Sequence, residues 1–253
     1  MKKLFYLGLS ALVCLGFQSC KKDKTNTPTK YTYENSRIKQ LNIDGVKDTE
    51  YFYNNKNQLT SIKTYKTYDN LSITSYTEYE YNGDGTIKKH TTKKPDDLNY
   101  IANTEYSYKN GLLDVITNDK NAVNKIFYTY ANNKLNQRRG ENSAGVEIYT
   151  SSYDYSLSDG NPKVIENQNQ NGSVNTYTTI YSPNVIDPDP LKLPGLPSLS
   201  NFVLKSREIS YDSPLNTFTI SYITDPNGKI TSYTKTYKNG SITKYTYVYE
   251  AKQ

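Results

Sequence analysis

Tyr-Glu-Tyr-Asn-Gly-Asp-Gly-Thr-Ile, residues 79–87, contains the pattern that decides the fold. Side chains alternate between the two faces of a β-strand, so two tyrosines separated by one residue lie on the same face. The Asn-Gly-Asp-Gly segment tolerates the positive φ angles of a hairpin turn, and Ile87 then begins the return strand. This stretch therefore predicts a β-hairpin that carries a tyrosine pair on one face.

The same order of tyrosine pair, polar turn and aliphatic residue recurs along most of the chain. The pairs and their aliphatic residues are Tyr31/Tyr33 with Ile38, Tyr51/Tyr53 with Leu59, Tyr79/Tyr81 with Ile87, Tyr106/Tyr108 with Leu112, Tyr128/Tyr130 with Leu135, and Tyr153/Tyr155 with Val164. A weaker set follows: Tyr211, Tyr222 with Ile230, Tyr237 with Ile242, and finally Tyr245, Tyr247 and Tyr249. Repeats of about 20–30 residues are typical of units that bury their faces only against their neighbours. We predict an all-β protein, a long antiparallel meander of repeated hairpins forming one curved sheet or an open barrel.

The two faces of the predicted strands differ in polarity. In the last strand Tyr245, Tyr247 and Tyr249 share one face, whereas Lys244 and Glu250 lie on the other. A face with such charges does not form the apolar band that lipid requires, and the mean hydropathy of the chain is −0.81. We expect a water-soluble sheet with the tyrosines inside, and their hydroxyl groups bonded to Thr and Asn side chains.

The first 19 residues have the composition of a signal peptide. Lys2 and Lys3 precede an apolar run of about 14 residues, which is shorter than the roughly 20 residues of a membrane-spanning helix. Ser19 before Cys20 is typical of a lipoprotein signal, so Cys20 is the predicted lipidated residue and Cys14 the competing one. An alternative is an ordinary secretory signal that leaves Cys20 unmodified. Residues 20–30 then form a flexible tether, and residues 31–253 a single tyrosine-rich domain.

One segment interrupts the meander at residues 183–204. Its five prolines exclude a central strand, because proline lacks the backbone N–H that a sheet needs. Leu199, Phe202 and Val203 have helical spacing after Pro197 and predict a short helix. We expect this Pro-rich insertion to pack on the tyrosines as a plug or lid, the alternative being a surface loop.

The repeat resembles the YD (Rhs-type) repeat, in which a tyrosine, often followed by Asp, precedes a Gly-x-aliphatic turn exit. Residues 82–87 and 225–230 match its turn best, and Asp follows Tyr at Asp69, Asp154 and Asp212. With the lipoprotein signal, the chain is similar to small YD-repeat lipoproteins of Gram-negative bacteria. That resemblance implies a porin-like, curved antiparallel sheet of unknown function in the cell envelope, with the outer membrane favoured. It implies no catalytic residue.

Few residues of the chain are of the types that catalyse reactions or bind metals and cofactors. His90 is the one histidine and the mature chain has no cysteine beyond the anchor, which excludes zinc sites built on several such ligands. Residues 82–85 are similar to a calcium loop but lack the closing Glu, so a hairpin turn is favoured. No Walker or dinucleotide-binding motif occurs, and we expect neither a cofactor nor a metal.

Paired carboxylates of the glycosidase type are the remaining catalytic option. Asp96 with Asp97 and Asp187 with Asp189 are candidates, but both pairs lie in predicted loops. We therefore expect no enzyme activity.

The charge pattern argues against nucleic acid. The net charge is +6, and Lys88-Lys89, Lys93-Lys94 and Arg138-Arg139 are isolated pairs among acids. Basic residues on the solvent face of strands protect sheet edges from aggregation, which is the favoured interpretation. The expected partner is the membrane, through the lipid on Cys20.

The favoured function is a non-catalytic binding module on the cell envelope. Aromatic rings in a row offer a large contact area to a polysaccharide or an apolar ligand. The candidate ligand face comprises Tyr79, Tyr81, Tyr106, Tyr108, Tyr128, Tyr130, Tyr245, Tyr247 and Tyr249. Two alternatives remain open: an interaction scaffold in which every tyrosine is buried, and a periplasmic protein that binds a lipid-like ligand.

Overall fold

The computed structural model describes residues 36–66, 69–155, 163–170, 173–182, 193, 203–209, 217–226 and 229–253. These residues form sixteen β-strands and include no helix, so none that is long and apolar enough to cross a membrane. The strands are β1 (Ser36–Ile43), β2 (Val46–Tyr53), β3 (Leu59–Lys66), β4 (Asp69–Tyr81), β5 (Ile87–Lys94), β6 (Asp97–Lys109), β7 (Leu112–Asn118), β8 (Lys125–Ala131), β9 (Lys134–Glu141), β10 (Glu147–Asp154), β11 (Lys163–Gln170), β12 (Ser173–Ser182), β13 (Val203–Ile209), β14 (Phe218–Thr224), β15 (Ile230–Tyr237) and β16 (Ile242–Ala251). The all-β prediction is confirmed.

Each strand pairs antiparallel with the strands before and after it in the chain, as the predicted meander requires. The sequence left open whether the two ends of the sheet meet, and the structure joins them. β1 pairs with β16 in a register that places Ile38 opposite Tyr249 and Ile43 opposite Tyr245. The described strands therefore form a closed barrel, in which each of them has a neighbour on both sides.

Two kinds of tight turn connect the hairpins. Asp44-Gly45, Asn110-Gly111 and Asn132-Asn133 form two-residue turns in which both residues have positive φ. In the 82–86 turn the Gly85 N–H donates to the Asn82 carbonyl, and Gly85 has a φ of 85°. The prediction that residues 82–85 form a hairpin turn is confirmed by this geometry and by the pairing of β4 with β5.

A β-bulge accompanies the second tyrosine of the pairs. The β2–β3 register shifts between Phe52 and Tyr53, so that Tyr53 lies opposite Leu59. The same shift places each second tyrosine opposite the buried aliphatic residue of its hairpin, namely Tyr81 opposite Ile87, Tyr108 opposite Leu113, and Tyr130 opposite Leu135. These aliphatic side chains form the core at one end of the sheet.

The hydroxyl group of each second tyrosine bonds to the preceding hairpin. It donates to the backbone carbonyl of that hairpin's buried aliphatic residue. The donors and acceptors are Tyr53 to Ile38 (2.7 Å), Tyr81 to Leu59 (2.7 Å), Tyr108 to Ile87 (2.9 Å), Tyr130 to Leu113 (2.8 Å), Tyr155 to Leu135 (3.0 Å) and Tyr249 to Ile230 (2.6 Å). These six bonds, which we call the tyrosine ladder, connect successive repeats. The expectation that the hydroxyls would bond to Thr and Asn side chains is wrong for these six tyrosines, because a backbone carbonyl lies within reach of each.

Two of the predicted aliphatic partners are also wrong. Leu113, not Leu112, is the buried residue opposite Tyr108, because a two-residue turn and the bulge shift the register by one. Ile242 is 63% exposed, because the β15–β16 turn lies at the end of the sheet opposite the tyrosine ladder.

The face that carries the first and second tyrosines of the pairs is here called the Tyr face. The larger buried side chains, including Leu135, Tyr153 and Val164, lie on it by strand register. In a closed sheet the face that holds the core is the inner one. The opposite face is more polar, as in β6, where Glu105 and Ser107 are exposed while Tyr106 and Tyr108 are half-buried.

Several sequence predictions fall outside the described residues. These are the signal peptide, the lipidated Cys20 with its alternative Cys14, the tether at 20–30 and the first tyrosine pair. The predicted helix and lid of the Pro-rich insertion also lie there, since only residues 193, 203 and 204 of that segment are described.

Candidate functional site

All nine candidate ligand-face tyrosines lie on the Tyr face, and all nine are half-buried. They divide into two groups by what their hydroxyl groups do. Tyr81, Tyr108, Tyr130 and Tyr249 belong to the tyrosine ladder, where each holds a neighbouring hairpin. Tyr79, Tyr106, Tyr128, Tyr245 and Tyr247 lie further along their strands, away from the ladder. The second group is the better candidate for contact with a ligand.

His90 lies within β5, between two of these tyrosines. It pairs in register with Tyr79 on β4, and the two ring centroids are 5.5 Å apart. Its Nδ1 is 2.9 Å from the Tyr106 hydroxyl on β6. Burial lowers the pKa of His90 below its ordinary value, because the charged imidazolium is poorly solvated there.

Further along the sheet, a row of four residues crosses strands β8 to β11. Tyr128, Arg138, Ser151 and Glu166 lie directly opposite one another in register, so all four point from the same face. Arg138 Nη2 is 2.5 Å from Glu166 Oε2, and the Ser151 hydroxyl donates to the same oxygen at 2.9 Å. This set, together with Tyr149 and Tyr153, is here called the Arg138 cluster.

The aromatic ring of Tyr149 lies against the guanidinium group of Arg138. Its carbon Cζ lies 5.0 Å from the centroid of the Tyr149 ring. Burial lowers the pKa of Arg138, but its neighbours, which include the Glu166 carboxylate, raise that pKa overall. Burial also raises the pKa of Tyr128 and of Tyr149. Both phenols therefore stay neutral, and Arg138 stays charged, across the physiological pH range.

A glycine makes this arrangement possible. Gly140 lies opposite Tyr149 in the β9–β10 register. A Cβ atom at Gly140 would stand 2.4 Å from Tyr149 Cε1 and 2.8 Å from Cδ1, which is a steric clash. The absence of a side chain thus lets the Tyr149 ring lie across β9 and reach Arg138.

A second aromatic group lies across β14, β15 and β16. Tyr233 stacks on Tyr245, with ring centroids 4.3 Å apart and an angle of 7° between the planes. Tyr222 and Tyr247 lie 5.9 Å from Tyr233 on either side. Because these rings cover one another, their faces offer less area to a ligand than a row of separate rings would.

The residues considered for catalysis do not assemble. Asp96 and Asp97 are exposed where β6 begins, and Asp187 with Asp189 lies outside the described residues. In the part of the chain that the structure describes, no group of three His, Cys, Asp or Glu side chains is placed to hold a metal ion.

A shallow pocket of about 200 Å³ lies at the junction of β1, β2 and β16. Arg37 is one of the residues that line it: it pairs with Glu250 at 2.7 Å and lies 4.5 Å from the centroid of the Tyr53 ring. These contacts connect the first and last strands, so the pocket belongs to the closure of the sheet.

Sequence reasoning missed Arg138, Ser151 and Glu166. The pair Arg138-Arg139 was interpreted as charge on the solvent face, although neighbouring residues of a strand point to opposite faces. Arg139 does lie on the face opposite the Tyr face, beside Phe127 and paired with Glu141. Alternation from Tyr128 and Tyr130 was the available signal, but it needed the β8–β9 register to place Arg138.

No protein-family model matches the chain, and the comparison with curated proteins gave no match. Among solved structures, a porin-like protein from Bacteroides uniformis is similar with a TM-score of 0.52 and 16% identity, over 84% of this chain and 98% of that chain. A porin-like protein from Bacteroides vulgatus gives a TM-score of 0.43 and 12% identity, over 85% of this chain and 99% of that chain. TcdB2-TccC3-TEV gives 0.34 and 16%, over 74% of this chain and 12% of that chain. At this identity the first likeness shows a porin-like all-β fold and nothing about activity.

Proposed function

We propose that the protein is a non-catalytic binding module of the cell envelope, held to the membrane by a lipid on Cys20, which binds a glycan on its Tyr face. The observation that carries the proposal is the division of the tyrosines. The ladder tyrosines hold the repeats together, whereas Tyr79, Tyr106 and Tyr128 lie beside His90 and Arg138 in a region that alternates rings with polar groups. Binding sites for small ligands combine aromatic walls with a few placed polar groups in this way.

The test is affinity electrophoresis in gels that contain single polysaccharides. The chain from Lys21 lacks the anchor but keeps all sixteen described strands, since β1 begins at Ser36. We expect retardation by at least one glycan, and loss of retardation in Tyr106→Ala. Tyr76→Ala is the matched control, because Tyr76 lies one residue out of phase with Tyr79 on β4 and points to the opposite face. Absence of retardation on every glycan would reject the glycan proposal.

The second candidate is an interaction scaffold, which the half-burial of all nine tyrosines favours. In that case no glycan is bound, and the polar face of the closed sheet carries the contacts. Loss of a protein partner after charge reversal at Glu78, without any change in glycan retardation, supports the scaffold.

The anchor has a separate test. Metabolic labelling with an alkyne fatty acid should mark the intact chain and Cys14→Ala, but not Cys20→Ala. Labelling that survives Cys20→Ala and disappears in Cys14→Ala would place the lipid on the other cysteine.

A further inference from the structure

We propose that the Arg138 cluster recognises a neutral, polyhydroxylated ring, that is, an uncharged sugar residue of the glycan. This inference rests on the proposed function and specifies the residues and the charge of the ligand. It begins from the position of Arg138, Ser151 and Glu166, which lie opposite one another on three consecutive strands of the Tyr face.

The position of Arg138 lowers the stability of the folded protein, so packing alone does not explain why an arginine stands there. Its Nη2 bonds to Glu166 and Ser151, but its Nε–H is buried and has no acceptor among the described residues. A buried donor without an acceptor lowers the stability of the folded state, because it has lost its hydrogen bond to water. A pair of apolar residues usually stabilises a core as well as a buried ion pair does. An unsatisfied group in such a place needs an explanation, and a functional role is one that fits this site.

The cluster is also within reach of a ligand. About a third of the Arg138 side chain, 32%, stays accessible, and Glu166 keeps 13%. The Tyr149 ring, which Gly140 admits, lies 5.0 Å from the guanidinium carbon and forms a wall beside it. A ligand thus meets hydrogen-bond donors, acceptors and an aromatic surface in one place.

The charge of the cluster indicates the class of ligand. Arg138 and Glu166 neutralise each other, so the cluster has no net charge with which to attract an anionic or a cationic ligand. A sugar hydroxyl donates and accepts at the same time, and two neighbouring hydroxyls match a guanidinium beside a carboxylate. The apolar face of a sugar ring then packs on a tyrosine ring.

The chain contains a matched control for this site. Arg139 follows Arg138 on β9 and makes the same kinds of contact on the opposite face: its guanidinium carbon is 4.8 Å from the Phe127 ring centroid, and its partner is Glu141. A change at Arg139 therefore removes a similar ion pair from the same strand without touching the Arg138 cluster.

The experiment is calorimetric titration of the chain from Lys21 with neutral gluco-, xylo- and manno-oligosaccharides, anionic oligogalacturonate and cationic glucosamine oligomers. We expect a neutral oligosaccharide to bind most tightly. Arg138→Gln should weaken its binding about tenfold or more, as the loss of a hydrogen bond to a charged group does. Arg139→Gln should change it less than about twofold.

Thermal melting checks that each variant is folded. If Arg138→Gln is unfolded, the double variant Arg138→Gln/Glu166→Gln is titrated in its place, because it keeps the cluster neutral. The inference is overturned if a neutral glycan binds Arg138→Gln as tightly as the unaltered chain, or if only charged oligomers bind. In both cases the proposed glycan-binding function survives. Absence of binding by every oligosaccharide rejects the function and the inference together.

Discussion

At the scale of single residues, the repeated tyrosines have two different roles, which their spacing in the sequence does not distinguish. The second tyrosine of a pair, such as Tyr81, lies opposite the aliphatic residue of its own hairpin and donates its hydroxyl to the backbone carbonyl of the aliphatic residue in the preceding hairpin. A phenylalanine would fill the same space but leave the carbonyl without this donor. The ladder therefore explains why tyrosine, and not another aromatic residue, stands at these positions.

Replacing Tyr81 by Phe should lower the free energy of unfolding by about 1 kcal/mol, because it removes the 2.7 Å bond to the Leu59 carbonyl. Tyr76→Phe is the control on the same strand, since Tyr76 lies on the other face. The contact of Tyr76 with Lys63 is made by the ring, which phenylalanine keeps. Urea unfolding followed by circular dichroism measures both variants. Equal stability of the two would show that the ladder bond contributes nothing.

His90 should make the stability of the protein depend on pH. Burial lowers its pKa in the folded state below the ordinary value of 6.5, so the folded protein disfavours the proton that the unfolded chain accepts. The contribution of neutral His90 is complete above that value and is lost as the pH falls below it. Between about pH 7.5 and pH 5, the melting temperature of the unaltered chain should fall further than that of His90→Gln. The same fall in both would assign the effect to the carboxylates.

At the scale of elements, the hairpin is the unit that the sequence encodes. Its turn supplies residues that tolerate positive φ, such as Asn110 and Gly111, and its bulge sets which aliphatic residue faces the second tyrosine. The contact between β9 and β10 shows that pairing is also adjusted at single positions, since Gly140 leaves the space that the Tyr149 ring occupies.

Gly140→Ala should destabilise the protein by about 1–3 kcal/mol, because a Cβ atom would overlap the Tyr149 ring and force it or the strand to move. Gly83→Ala is the matched control, as a Cβ atom there meets nothing within 4 Å. Chemical unfolding measures the free energy of unfolding of both variants. A loss of stability in Gly83→Ala as large as in Gly140→Ala would contradict the steric explanation.

At the scale of the whole molecule, closure of the sheet depends on contacts between residues far apart in sequence. Arg37 on β1 pairs with Glu250 on β16 and donates to the Asn57 side chain at 2.8 Å. Near the other end of the same strand pair the Asp44 N–H donates to the Lys244 carbonyl, and the Lys244 N–H donates to the Asp44 carboxylate. These contacts bring the first and last described strands together.

Arg37→Ala should lower the free energy of unfolding by about 1–2 kcal/mol, because Arg37 is only 9% exposed and its loss leaves Glu250 without this cation. The substitution should also increase the rate of hydrogen exchange more in β1 and β16 than in β8 and β9. Lys39→Ala tests the same strand at an exposed position and should change little. Exchange that rises equally in all strands would show that Arg37 acts on global stability and not on closure.

The sequence by itself determined the all-β meander, the hairpin turns and the presence of one tyrosine-bearing face. These features depend on residues close together in the chain: alternation along a strand, positive φ in Asn and Gly, and an aliphatic residue after the turn. Only the tertiary structure decided that β1 meets β16, that Leu113 and not Leu112 enters the core, and that Arg138 joins Ser151 and Glu166. Those outcomes depend on the register between strands, which bulges shift by single residues and which local pattern does not record.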